Sequence, residues 1–263
     1  NVNLFELGPG NGLLSMDIYH YLKSKNINVN DLTLLEKSEY FREKILEKSE
    51  VKVNFIKNIY DYKIDNGDVV FIYSNEFFDA IGSKQFIYNN GNFNEIKISK
   101  NNDEYLLIKD STIISRELLN YYSSYNFKDN DILEHSNLIL NMLSDIQKLE
   151  FKKYFFTTTD YGYTKLPFKS TLRLLSNHKK LNLFDKFENV DYSFGVNFEL
   201  MNSFFLKNNP SIIYQKDLIL NNLPSEYLKS SDKNIKEMID LISGKKFGGM
   251  GTSFLNLSFK KNE

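Results

Sequence analysis

The residues best suited to chemistry stand near the start of the chain. In FELGPGNGLL, residues 5–14, glycine recurs at 8, 10 and 12 behind Glu6. Glycine lets a backbone turn left-handed or approach a ligand closely. Further on, acidic and amide residues follow short apolar runs. Glu36 follows DLTLL, and Asp61 comes a few residues after VKVNFIK. Asn75-Glu76-Phe77-Phe78-Asp79 follows DVVFIYS, and Asp160-Tyr161-Gly162 follows KYFFTTT. The residues singled out after these runs are acidic or amide-bearing, and none of them is lysine or arginine.

The sign of that pattern restricts the ligand. A phosphate site draws on a helix N-terminus and often on a lysine or arginine. The glycine loop has no GK[ST] ending, and Leu13 makes its spacing GxGxG rather than GxGxxG. A P-loop and a dinucleotide fingerprint therefore fit poorly. A cationic ligand without phosphates fits better, and S-adenosylmethionine is such a ligand. On this reading Glu6, Gly8, Pro9, Gly10 and Gly12 form the cofactor loop, Glu36 accepts both ribose hydroxyls, and Asp61 reaches the adenine amino group. Competing structural readings exist: a tight strand-to-helix turn for the loop and a solvated carboxylate for Glu36.

The surrounding pattern predicts the elements that carry these residues. Val2–Leu7 reads as a buried strand. Gly12–Lys25 reads as a helix whose Leu14, Ile18 and Leu22 share one face. Strands are expected at 31–36, 51–57 and 68–74, with a helix over 38–48 capped by Ser38. This strand–helix alternation argues for a doubly wound, mostly parallel α/β sheet, whose ligands bind beyond the carboxyl ends of the strands. Three short strands at 84–88, 93–99 and 104–109, separated by NNGN and KNND turns, predict an inserted β-meander. Helices are expected near 115–124 and 134–150, a fifth strand at 153–159, helices at 170–178 and 197–208, and strands at 211–215 and 253–259. Helical segments near 224–243 lie between those last two, with Pro224 and Gly248-Gly249 at the turns. The expected organisation is one domain over 1–263, with an inserted lobe at about 83–150.

Bulk properties exclude several functions. Apolar residues make up 41% of the 263 residues, enough for a sizeable core. The net charge of -1 gives no footprint for non-specific nucleic-acid binding. With no cysteine, disulfides, thiolate metal sites and cysteine nucleophiles are excluded. That composition suits a reducing cytosol. His20, His135 and His178 lack metal-ligand spacing, so no metal is expected. No apolar run approaches the roughly 20 residues that span a bilayer. A strand that starts at Val2 leads us to expect that residues precede Asn1, with any targeting signal among them.

ELGPGNGLLSMD, LLEKSEYFRE, SNEFFDA followed by KQF, and then DYG resemble the MidA-like methyltransferases. This family includes a mitochondrial complex I assembly factor that methylates arginine. Thr171-Leu172 with Asn177-His178 is similar to the family's segment after DYG. The resemblance runs from Glu6 to MGTSF near the end of the chain. It implies a seven-stranded class I methyltransferase sheet, S-adenosylmethionine as cofactor, and arginine methylation of a protein, with a respiratory complex I subunit as best-known substrate. The implied compartment is the bacterial cytoplasm or, in a eukaryote, the mitochondrial matrix. Three departures stand out: Asn11 where the family usually has arginine or a similar residue, Asp79-Ala80-Ile81-Gly82 in place of DALP, and Val196-Asn197-Phe198 in place of a segment ending in VDF. The family also carries a region before the glycine loop, which helps frame the site and is not part of this sequence.

For an arginine acceptor, Asn75, Glu76 and Asp79 are the candidate catalytic residues, because carboxylates hold a guanidinium bidentately. Asp160 is a supporting candidate. Phe77 and Phe78 could wall the pocket, against core packing as the competing role. For Asp79 the competing role is a helix N-cap or first-turn charge. Tyr121-Tyr122-Ser123-Ser124-Tyr125 could line a protein-binding groove, against ordinary packing. The competing function is a non-catalytic assembly factor with a methyltransferase fold. A nicotinamide enzyme is a distant third.

Overall fold

The computed structural model describes residues 1–63, 69–102, 104–111, 116–177, 179–185, 190–244 and 250–261. Asp68, His178 and Gly248-Gly249, named above, lie outside that set. In order, the chain runs β1 (Val2–Leu7), α1 (Leu13–Ser24), β2 (Val29–Leu35), α2 (Glu39–Lys48), β3 (Asn54–Ile56) and β4 (Val69–Asn75). It continues with β5 (Lys84–Asn89), β6 (Asn92–Asn101), β7 (Glu104–Asp110), α3 (Arg116–Tyr121), β8 (Ile132–His135), α4 (Asn137–Gln147) and β9 (Lys153–Tyr163). Then come β10 (Arg173–Ser176), β11 (Lys179–Lys180), β12 (Asp191–Ser193), β13 (Val196–Asn197) and α5 (Phe198–Phe204). The chain closes with β14 (Ser211–Tyr214), α6 (Gln215–Asn222), α7 (Ser225–Leu228), α8 (Lys233–Ile242) and β15 (Phe254–Lys261). No helix among the described residues is long and apolar enough to cross a membrane.

Contacts divide the chain into two compact units. The first comprises Asn1–Phe77, Met142–Tyr161 and Met201–Glu263. Its sheet has the strand order β14-β15-β9-β4-β1-β2-β3. β1, β2, β3, β4 and β9 run parallel, and β15 is antiparallel to both β9 and β14. This is the mostly parallel class I methyltransferase sheet expected from the sequence.

Parallel central strands are buried on both faces, which is why Leu4, Phe5, Leu7, Leu34, Val70 and Ile72 are fully buried. One face packs Leu4, Leu32, Leu34 and Tyr73 with Ile45 of α2 and with Met16, Ile18, Tyr19 and Leu22 of α1. The buried stripe of α1 therefore begins at Ser15, which is fully buried, rather than at Leu14, which is 40% exposed. That corrects the expected Leu14-Ile18-Leu22 face. Three rings close the far side of the sheet: Phe156 lies 5.2 Å from Phe259 and 5.7 Å from Phe205, centroid to centroid.

The second unit comprises Phe78–Asn141 and Gly162–Leu200. Its larger sheet has the order β7-β6-β5-β8. The three meander strands form this sheet together with β8, with Asn90 and Asn102 left-handed at the meander turns. Its core is aromatic: Phe86, Tyr122, Leu133 and Leu166 are buried, with Phe93, Tyr125, Phe127, Tyr163 and Phe168 packed against them.

Two expected helices are corrected here. Residues 170–178 contain the strand β10, which pairs with β11 and β12. Asn177, left-handed at φ 49°, turns the β10–β11 hairpin. The helix expected from 134 starts at Asn137 instead, because Ile132–His135 pairs with β5. A short apolar run does not distinguish strand from helix until its partner is known.

Phe156→Ala should destabilise the protein by about 3–5 kcal/mol, because the cavity would open between two rings that cannot close it. Denaturant unfolding of the variant and the parent measures the difference.

Candidate functional site

The carboxyl ends of β1, β2 and β4 each continue for one residue along the neighbouring strand. Gly8 N–H donates to Leu35 O at 3.1 Å, Glu36 N–H to Ile56 O at 3.1 Å, and Glu76 N–H to Thr159 O at 3.0 Å. The first unit therefore presents the glycine loop, Glu36 and the Asn75-Glu76 pair from adjacent strand tips.

Gly8, Gly10 and Gly12 all have positive φ, at 66°, 53° and 78°. Pro9 O accepts the Gly12 N–H at 2.8 Å and closes the turn. The three glycines differ in what they face. A Cβ on Gly8 would lie 2.4 Å from the Phe77 ring, and one on Gly12 would lie 2.9 Å from Ile45. A Cβ on Gly10 would meet no heavy atom within 4 Å. The bare backbone at 8 and 12 accommodates the protein's own side chains, whereas Gly10 opens outward. An open, left-handed glycine with N–H groups around it fits a small polar ligand end.

Glu6 is the next-to-last residue of β1 and is 2% exposed. Ser15 Oγ donates to its carboxylate, and Ser15 Oγ lies 2.7 Å from Tyr73 Oη. β1, the first turn of α1 and β4 are thereby tied together behind the glycine loop. Burial pushes the Glu6 carboxyl up to about 7, against the smaller opposing effect of the Ser15 bond. Burial also raises the Tyr73 phenol, so the phenol stays protonated.

Glu36 is half-buried, and its Oε1 accepts the Ser38 N–H at 2.7 Å. That bond orients the carboxylate and leaves Oε2 for a ligand. Arg42 Nε donates to the Glu36 backbone O at 2.8 Å, and Arg42 Nη2 to the same oxygen. Arg42 thus satisfies the carbonyl at the end of β2 without occupying the carboxylate. The expected Ser38 cap is present, with Ser38 Oγ accepting from Phe41 N at 3.4 Å. Asp61 is exposed at the end of a short 3-10 turn, and its Oδ2 accepts the Asn58 N–H at 3.3 Å.

Asn75 ends β4 and is exposed. Glu76 follows it in the left-handed region at φ 49°, a conformation that costs a non-glycine residue about 1–2 kcal/mol. Two bonds hold that turn: the Thr159 carbonyl on Glu76 N–H, and the buried Asp160 carboxylate on Phe77 N–H at 3.1 Å. Asn75 Nδ2 lies 3.3 Å from Glu76 Oε1. The amide's Oδ1 and the exposed carboxylate are then both acceptors. Phe77 is half-buried over Gly8, and Phe78 is fully buried in the second unit. Asp79 also belongs to the second unit, is 8% exposed, and lies in a turn before β5 rather than at a helix start. The N-cap role weighed for it is therefore excluded. In that unit its carbonyl accepts the Phe194 N–H at 3.0 Å.

Several residues of the site escape the sequence pattern. Ser15 and Tyr73 hold Glu6, and Arg42 holds the end of β2. Asn256 donates to Thr157 Oγ1 at 2.8 Å and Thr159 Oγ1 at 2.9 Å, bracing the strand that supports Glu76. For Asn256 a signal exists: one amide inside the apolar run FLNLSF.

The profile of the family described as "Putative S-adenosyl-L-methionine-dependent methyltransferase" matches residues 1–212. The chain belongs to that family. Among solved structures, it is similar to an uncharacterized protein from Burkholderia thailandensis at 14% identity, with a TM-score of 0.82. That match covers 98% of this chain and 74% of the other. It is similar also to a likely methyl transferase of the same superfamily and organism, bound to S-adenosyl-homocysteine. There the identity is 15%, the TM-score 0.77, and the coverage 98% of this chain and 71% of the other. At these identities the likeness shows the fold. No curated protein matches the chain. This methyltransferase takes S-adenosylmethionine as cofactor, and an open Gly10 and an oriented Glu36 suit such a ligand.

Gly10→Val should abolish S-adenosylmethionine binding in calorimetry while circular dichroism shows an intact fold. The side chain would fill the open face and strain a left-handed backbone. Glu6 supplies a second test. Its folded pKa lies above its unfolded value, so between about pH 4.5 and about pH 7 the folded state binds more protons. Stability should fall as pH rises through that window, by roughly 3 kcal/mol in total. Glu6→Gln keeps an acceptor for Ser15 and should flatten the dependence, as read by urea unfolding across the same interval.

Proposed function

We propose that this methyltransferase acts on an arginine side chain of a protein, with a respiratory complex I subunit as the substrate class. One observation carries the reading: an exposed glutamate held left-handed at the tip of β4, with an amide oxygen beside it. Such a conformation persists only where its surroundings enforce it. Here Thr159 and Asp160 enforce it. The resemblance of SNEFFDA to the MidA-like methyltransferases points the same way.

S-adenosylmethionine supplies an electrophilic methyl group on a sulfonium sulfur. The chain's own task is to bind, align and shield. Glu36 accepts the ribose hydroxyls through the oxygen that Ser38 leaves unused. Gly10 admits the amino-acid end against bare backbone. Asp61, with one oxygen on Asn58, reaches the adenine amino group. Glu76 and the Asn75 side-chain oxygen accept N–H bonds from the guanidinium, orienting the remaining nitrogen toward the methyl carbon. Charge pairing with Glu76 offsets the cation of the bound arginine, and this exposed carboxylate passes the proton that the methylated nitrogen loses to solvent.

Transfer of labelled methyl groups to candidate proteins tests the reading. Glu76→Ala should lower transfer roughly 10- to 100-fold, the worth of one charge-assisted hydrogen bond, while leaving S-adenosylmethionine affinity unchanged. Transfer that is indifferent to this change would remove Glu76 from catalysis. Partner binding without any transfer would favour the assembly-factor reading.

A further inference from the structure

Strand β7 stands at the edge of the four-stranded sheet, with β6 as its one pairing partner among the described residues. Its middle residues are apolar on both faces. Tyr105 is 52% exposed, Leu106 49%, Leu107 52% and Ile108 43%. Ile98, which faces Leu107 across the pair, is 55% exposed. Natural edge strands are blunted with charges, proline or bulges, because an open edge templates further pairing. Residues 105–108 carry none of these devices. An edge that is apolar on both sides is built to be covered.

We propose that β7 pairs antiparallel with β7 of a second copy of this chain, about a two-fold axis at Leu107. A closed two-fold contact places the same patch on both sides, so the strand must complement itself. Side chains in an antiparallel ladder meet only residues on the same face, which admits registers that pair residues of equal parity. The register centred on Leu107 fits the sequence on both faces. On one face, Leu107 meets Leu107 of the second copy, flanked on each side by Ile98. The row across the axis is then Ile98, Leu107, Leu107, Ile98, all apolar. On the same face Lys109 meets the ring of Tyr105 of the second copy, a cation against an aromatic face. On the other face Leu106 meets Ile108, twice by symmetry. The directly opposed like charges are Glu104 and Asp110 of the second copy, also twice by symmetry. They fall where Lys97 already donates to Asp110.

Sedimentation velocity over a dilution series tests the proposal. The protein should sediment as a dimer that dissociates on dilution. Leu107→Asp places two carboxylates on the axis and should give a monomer throughout. Its S-adenosylmethionine affinity should be unchanged, because the site lies in the other unit and the side chain is exposed. Glu104→Lys tests the register without touching the apolar row. It turns the like-charge juxtaposition into two ion pairs and should tighten the dimer roughly three- to tenfold. A monomer at every concentration, or a dimer that survives Leu107→Asp, overturns the proposal. A Glu104→Lys dimer no tighter than the parent overturns the register.

Discussion

The Asp160 carboxylate, fully buried, accepts the N–H groups of Phe77 and Tyr161, both at 3.1 Å. A buried carboxylate is tolerated only with such donors. Its bond to Phe77 stops β4 from continuing straight and holds the turn that makes Glu76 left-handed. The same bond lays the Phe77 ring on Gly8, so β9, β4 and the glycine loop form one linked series. Any side chain at position 8 would collide with that ring. The first glycine of the loop is thus demanded by an aspartate some 150 residues away in the chain.

A division of labour follows within the loop. Gly8 and Gly12 are bare because Phe77 and Ile45 occupy the space where a Cβ would stand. Gly10 is bare toward open space. Behind the loop, Glu6, Ser15 and Tyr73 form a buried polar chain. A carboxyl pushed up to about 7 by burial remains partly protonated near neutrality, which lowers the cost of keeping it inside. The methyltransferase family to which the chain belongs uses the cofactor that this arrangement suits.

Much of this frame was legible beforehand. Val2–Leu7, the glycine loop and the α1 region stand out because a buried strand and a helix have different periods and meet at glycines. Ser38 at the start of α2 was legible because an N-cap needs only local sequence. By contrast, TLRLLSN at 171–177 reads equally as one helical turn or one strand. Its partners β11 and β12 and the left-handed Asn177 decided the matter. Ser15 and Tyr73 were invisible as site residues, because nothing local distinguishes a serine or tyrosine that faces a buried carboxylate from one that faces water. Likewise the exposure of Tyr105–Ile108 on both faces could not be read from composition, since a run of four apolar residues ordinarily means a buried strand.

The sequence by itself determined the kind of sheet, the position of the glycine loop and the absence of cysteine chemistry. These depend on periodicity, glycine spacing and residue type, which are local or cumulative properties. Tertiary structure alone decided which glycine is open, why Glu76 turns left-handed, that burial raises the Glu6 carboxyl, and which strand is left at an edge. Each depends on atoms brought together from distant parts of the chain, and such proximity is set by packing rather than by neighbours in sequence.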